Sequence, residues 1–331
     1  MAADPTPAAR ARPATNTGTT GQTAWADLDH TRVRLRDIAP ILSIHAMCLG
    51  VIWVGWSWVA VAVAVALYFI RMFVITAFYH RYFSHRTFRT HRAVQFAFAL
   101  LGTTSAQRGP CWWAGHHREH HRHSDEEPDL HSPWWKGVLW SHTVWFLTEK
   151  GRATNWRAIP DWQKYPELVW LERNHLIGPA LLITAMAILG WTLGVWAPGL
   201  GTNGWQMVVW GFAISTSVLY HGTFTINSLA HTIGSQRFKT GDDSRNNWWL
   251  ALITLGEGWH NNHHEYPGTV RQGFYWWEFD PAYWILKVMS WFGLVWDLRP
   301  VPASVYERAE HAKAERAAGV GRQRQRSRGA A

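Results

Sequence analysis

Residues 58–85 read WVAVAVAVALYFIRMFVITAFYHRYFSH. Up to Tyr79 the stretch carries one charge, Arg71, and it closes on two histidines, His80 and His85. A membrane-spanning helix needs roughly 20 apolar residues. Residues of about 58–79 therefore read as one span with a histidine pair at its mouth. The run also extends backward: residues 38–70 contain no Asp, Glu, Lys or Arg. That leaves room for an earlier span at about 38–55 and a tight turn at Gly55-Trp56-Ser57. Arg71 facing lipid would cost on the order of 3 kcal/mol. It is expected to face the helix bundle or to snorkel to the cytoplasmic surface.

A second uncharged run covers residues 174–236. It holds spans at about 175–197 and 205–227, joined by Pro198-Gly199-Leu200-Gly201-Thr202-Asn203-Gly204. The expected fold class is an all-α integral membrane protein with four transmembrane helices in two hairpins. Residues 93–106 form an apolar run too short to span, which suits a helix on the membrane surface or half inserted in it. Residues 107–172 and 237–302, rich in His and Trp, would form a helical cap. Neither hairpin turn carries charge, whereas the tails and the connection between the second and third spans are rich in Arg. The positive-inside rule then puts both termini and the cap in the cytoplasm.

Residues 1–30, rich in Ala, Thr and Pro, have no apolar signal region and read as a disordered cytoplasmic tail. Residues 303–331 read as a basic cytoplasmic tail, with three Glu against seven Lys or Arg. The net charge of +9 sits mostly where it would meet anionic lipid. No folded nucleic-acid reader accompanies it, so nucleic acid is not an expected partner. Twenty-five tryptophans suit membrane–water interfaces. With only Cys48 and Cys111, the chain cannot build a four-cysteine zinc or iron–sulfur site.

The nineteen histidines are grouped. His117, His120 and His121 stand at i, i+3 and i+4, and so do His260, His263 and His264. On a helix these positions share one face, and neutral imidazole is a common metal ligand. His80 and His85 are five apart, about 140° around a regular helix. They can share a metal only if the helix ends or bends there. The pattern points to a metal-dependent enzyme with its metals at the ends of membrane helices. A metal carrier or transporter should instead place ionisable ligands near the bilayer midplane.

His80-Arg81-Tyr82-Phe83-Ser84-His85, His117-Arg118-Glu119-His120-His121 and His260-Asn261-Asn262-His263-His264 resemble the three histidine boxes of membrane fatty acyl desaturases. The resemblance is to the acyl-CoA (stearoyl-CoA, delta-9) type without a fused cytochrome domain. Gly256-Glu257-Gly258 and Asn227-Ser228-Leu229-Ala230-His231 extend it, and it covers about residues 38–302, within a membrane desaturase domain of 31–302. It implies nine histidine ligands around two irons. One set would be His80, His85, His121 and His264, with Asn227 holding a water. The other would be His117, His120, His231, His260 and His263. Glu119, Asp125 and Glu257 are candidates to orient imidazole N–H groups. His116 and His123 flank the second box, and His131 follows Asp129 as a supporting residue.

The resemblance further implies an O2-dependent desaturase that puts a cis double bond into a saturated acyl chain. An acyl-CoA substrate and the delta-9 position are expected. A di-iron hydroxylase, or a desaturase of lipid-bound chains, is the alternative. Gln107, Trp113, Trp145 and Thr223 match positions shaping the bend of the acyl tunnel. Lys150 matches a basic residue facing coenzyme A phosphates, whereas Glu149 and Arg108 depart from the pattern. Electrons must come from a separate ferredoxin or flavin reductase, because no haem motif, cysteine cluster or dinucleotide fingerprint is present. His-Glu-x-x-His is also absent, and redox-inert zinc could not support this reaction.

Overall fold

The computed structural model describes residues 25–328, and side chains as far as residue 318. Most of the expected 1–30 tail lies outside the described residues. The part described is docked: Trp25 Nε1 donates to the Ala153 carbonyl across 3.2 Å.

Among the described residues three helices are long and apolar enough to cross a membrane: α1 (Leu35–Val54), α2 (Trp58–Ser84) and, later in the chain, Ile177–Trp196. The expected turn between α1 and α2 lies at residues 55–57, where Gly55 takes φ +64°. Ser57 caps α2 by accepting from the Ala60 amide. Arg71 takes the first of its two expected placements. It is fully buried, and its guanidinium donates to the carbonyls of Leu67 and Thr104 and the hydroxyls of Ser215 and Thr216.

Helix α3 (Arg92–Thr103) contains the short apolar run. Helix α4 (Pro110–His123) carries the second box, and α5 is Pro166–Arg173. Ile177–Trp196 is α6. The expected fourth span is α7, a continuous helical run over 204–228 with a π segment at Val209–Ile214. It is not among the helices apolar enough to count as a span on composition. The reason is its polar second half, Ser215 to Asn227, which turns Ser215, Thr216, Tyr220 and Thr223 toward protein partners. Helices α8 (His260–Glu265), α9 (Pro281–Trp291) and α10 (Ala303–Arg328) follow. A two-residue antiparallel ribbon pairs Arg89–Thr90 with Val295–Trp296. The 303–331 tail thus begins as a helix, with Val305 and Ala309 packed against Phe238 and Phe274.

One apolar core joins α1, α2, α6 and α7 through Ile44, Ala60, Leu182, Met186 and Phe212. A second wraps the lower half of α2, where Phe78 and Phe83 meet Cys111 of α4, Leu168 and Leu171 of α5, and Leu286 of α9. Every residue from Val74 to Ser84 is buried. That half of α2 is therefore enclosed by protein, and this is where the site lies.

Candidate metal centre

The lower half of α2 is not α-helical. From Val74 to Ser84 it widens into a π-helix, and the His85 amide donates to the His80 carbonyl across 3.3 Å. This i→i+5 bond brings the two histidines to one side of the helix, a turn apart. The helix also ends there, at Ser84 with His85 as its C-cap, so the expected end of the helix at the pair takes the form of a π turn.

Nine imidazoles converge. His80, His85, His117, His121 and His263 form one cluster and His120, His231, His260 and His264 another, with ligand atoms in each lying within 4.8 Å of one another. All nine expected histidines are present, but they divide differently from the two sets the resemblance implied. In each helical box the i, i+4 pair, His117 with His121 and His260 with His264, stays together. The i+3 residue, His120 or His263, crosses to the other cluster. The cause is the helix itself, because i+3 and i+4 are about 100° apart. Asn227 lines a small cavity with His80 and His117 of one cluster and His120, His231 and His260 of the other, so it lies beside both.

Within the five-histidine cluster Nε2 faces Nε2. The separations are 3.0 Å for His80–His263, 2.8 Å for His85–His117, 3.0 Å for His117–His121 and 2.8 Å for His121–His263. His231 and His260 face each other at 3.0 Å. Carboxylates take the opposite edge of four rings. The Nδ1–H groups of His120, His231 and His264 donate to Asp129 at 2.9 Å, Asp125 at 2.7 Å and Asp242 at 2.5 Å, and His80 donates to Glu257. A ring whose Nδ1 keeps its proton presents a bare lone pair at Nε2. Burial and mutual repulsion hold His85, His117, His121, His260 and His263 well below the usual histidine range. Neutral Nε2 lone pairs aimed at one another are unfavourable without a cation between them. Among the described residues His264 Nε2 is also buried without a hydrogen-bond partner. The donor set fits two metal ions.

Of the three expected orienting carboxylates, Asp125 and Glu257 contact ligand histidines. Glu119 does not; it pairs with Arg122 at 3.0 Å. Asp129 and Asp242 were missed. Asp129 had a signal in its position before His131, a buried ring 4.2 Å from His120. Asp242 lies 22 residues from His264, and no spacing rule connects them. His116 bonds the Ala153 carbonyl and His123 faces Glu126; neither joins a cluster.

The glycines before the third box are required by close approach. Gly256 takes φ +118°, and a Cβ on Gly258 would lie 2.0 Å from the Ala251 amide nitrogen. This tight turn lets Glu257 bridge His80 and Arg81.

A cavity of about 350 Å³ leads away from the histidines. Gln107, Trp113, Trp145 and Thr223 all line it, as do His117 and Asn227. Gln107 Nε2 donates to Thr223 Oγ1 across 3.1 Å. Lys150 is outside this wall: its ammonium rests 4.6 Å from the Trp25 ring centroid. In the short helix Glu149–Arg152 it is Arg152, two residues on, that faces the cavity.

Residues 56–296 match the fatty acid desaturase family. The chain is 34% identical to the sn-2 palmitoyl-lipid 9-desaturase of Nostoc sp. over 256 residues, covering 76% of this chain and 85% of that one. It is 37% identical to the sn-1 stearoyl-lipid 9-desaturase of Synechocystis sp. over 248 residues, 74% of each chain. It is 34% identical to an acyl-CoA 5-desaturase of Anemone leveillei over 272 residues, covering 80% of this chain and 79% of that one. With three boxes, nine converging imidazoles and these likenesses, the chain belongs to the fatty acid desaturase family.

Proposed function

We propose that the protein is an O2-dependent di-iron desaturase that introduces a cis double bond at the delta-9 position of a saturated fatty acyl chain. The observation that carries this reading is that the five-histidine cluster opens, through His117, onto a mainly apolar cavity of about 350 Å³. Two irons, when bound, supply the oxidising power needed to remove hydrogen from an unactivated CH2–CH2 pair. Overall, the saturated chain, O2, two electrons and two protons give the alkene and two waters. The nine histidines would hold the metals, with Asn227 beside them through a water. The four carboxylates keep the rings oriented. Trp113, Trp145, Gln107 and Thr223 fix which carbons lie next to the imidazoles and keep bulk water out.

The electrons come from a separate ferredoxin or flavin reductase. The protein sits in a bacterial-type cell membrane, with α7 as a fourth span and both termini and the histidines on the cytoplasmic side. Exposed tryptophans at the far ends of the spans, Trp53, Trp58, Trp196 and Trp205, support these ends as lying at one membrane–water interface. Relatives carry both acyl-CoA and acyl-lipid names, so the acyl carrier rests on the outer end of the cavity.

The test is fatty-acid profiling by mass spectrometry in a desaturase-deficient host supplied with a competent reductase. Intact protein yields a new monounsaturated chain and His263→Ala yields none. If the intact protein gives no new product, the reading fails. Hydroxy acids in place of alkenes make it a hydroxylase.

A further inference from the structure

The cavity has two ends of different chemistry. Its inner end meets the five-histidine cluster at His117. Its outer end is lined by Asp37, Arg108, Arg152 and His175. Arg152 is paired, with Nη1 3.1 Å from Asp37 Oδ1. Arg108 is not. Among the described residues its guanidinium has no hydrogen bond or ion pair, and its aromatic neighbour is Trp112, 5.7 Å from the ring centroid. Burial and the nearby Arg152 push the Arg108 guanidinium down to about 10, against weaker opposing pulls from Glu172 and Asp37. It is still charged at neutral pH. Glu172 is committed elsewhere, accepting from the Cys111 and Trp112 amides and the Thr154 hydroxyl. A half-buried cation without a paired counter-ion is left with unmet hydrogen-bonding capacity, and this one lines the wall of a substrate-sized cavity.

The surroundings of this end indicate how it is reached. It lies near the starts of α1 and α6, at Pro40, Ile41, Leu176 and Pro179. Leu176 of this lining and Leu35, the first residue of α1, are 70% and 87% exposed. Apolar side chains left bare at the entry of two membrane helices suit access from the plane of the bilayer. His175, pushed down to about 4 by burial and by Arg108 and Arg152, is a neutral imidazole able to donate to an ester carbonyl.

We infer that Arg108, with Arg152 and His175, forms a phosphate pocket, and that the acyl chain enters as part of a glycerophospholipid. In such a lipid the phosphate lies a few bonds from the acyl carbonyl, as a cationic pocket at the end of the acyl cavity requires. In a coenzyme A thioester the phosphates lie beyond a long uncharged arm. Lys150, the residue matched to those phosphates, faces Trp25 instead. This inference rests on the acyl-chain reading of the cavity, and its test separates the two.

The full chain in nanodiscs is titrated with dipalmitoyl phosphatidylglycerol, dipalmitoylglycerol, palmitoyl-CoA and palmitate, with binding read by native mass spectrometry and turnover by product analysis. The phospholipid should bind most tightly. Arg108→Gln should weaken that binding about tenfold or more, Arg108→Lys should weaken it less, and melting temperatures should show that both fold. Arg108-dependent phospholipid binding without any alkene would refute the desaturase reading and leave the pocket standing. Dipalmitoylglycerol binding as well as the phospholipid overturns the pocket and leaves desaturation intact. So does a preference for palmitate, or desaturation of palmitoyl-CoA that Arg108→Gln leaves unchanged.

Discussion

His85 is bonded through its amide to the carbonyl of His80, 3.3 Å away, and their rings meet edge to face with centroids 5.0 Å apart. The five-residue spacing of the first box is thus built into a π turn. Inserting one alanine between Tyr82 and Phe83 breaks the i→i+5 register and swings His85 out of its cluster. The expected result is a folded membrane protein holding fewer than two metals per chain, measured by elemental analysis. Retention of both would mean that the π turn does not set the cluster.

The carboxylates behind the rings should matter almost as much as the rings. Asp129→Asn and Asp242→Asn each should weaken metal retention by about 10–100-fold in chelator competition. Glu119→Gln, whose partners are Arg122 and Asn155, should leave it unchanged. Equal behaviour of all three variants would contradict the assigned orientation.

The metal-free protein should lose stability on acidification. The folded values of His85, His117, His121, His260 and His263 lie well below the usual one. As pH falls through about 6.5, the unfolded chain takes up protons that the folded cluster refuses. Each such histidine removes up to about 1.4 kcal/mol per pH unit. Melting temperatures of the metal-free form should fall between about pH 7 and about pH 5; a flat or rising profile would be incompatible with buried neutral rings.

Gly258→Ala forces a Cβ to within 2.0 Å of the Ala251 amide nitrogen. Backbone on both sides cannot yield, so a loss of ~3 kcal/mol is expected, together with displacement of Glu257 from His80. Gly199→Ala, with nothing within 4 Å, is the control. Thermal melts of the two variants compare them directly.

Thr223→Val removes the acceptor of the Gln107 amide while keeping the side-chain volume. The acyl chain then loses a fixed point on the cavity wall, and the double bond should shift or spread over neighbouring carbons. Mapping its position in the product by mass spectrometry checks this; an unchanged single position would mean that Thr223 has no part in the register.

Much of this arrangement was legible in the sequence where local rules apply. The turn at Gly55-Trp56-Ser57, the charge-free runs and the i, i+4 histidine pairs follow from hydropathy and helix period. Arg71 was legible as a choice between two placements, and the hydroxyls of Ser215 and Thr216 decide it. The rest depends on tertiary partners. Periodicity assumed an α-helix through His80, so the π turn was hidden. The division of His263 and His264 between clusters requires the helix to sit between two sites, which spacing does not reveal. Asp242 gains its role from His264, 22 residues away. Lys150 and Arg152 are two residues apart in one short helix, and only packing determines which one faces the cavity.

The crossing of His120 and His263 to the opposite clusters has a consequence for assembly. Each helical box is a rivet through both metal positions, so neither position can be built, emptied or redesigned alone. Removing one metal frees side chains on the same two short helices that grip the other. The centre should therefore fill and empty as one unit, with little of the half-loaded form at equilibrium.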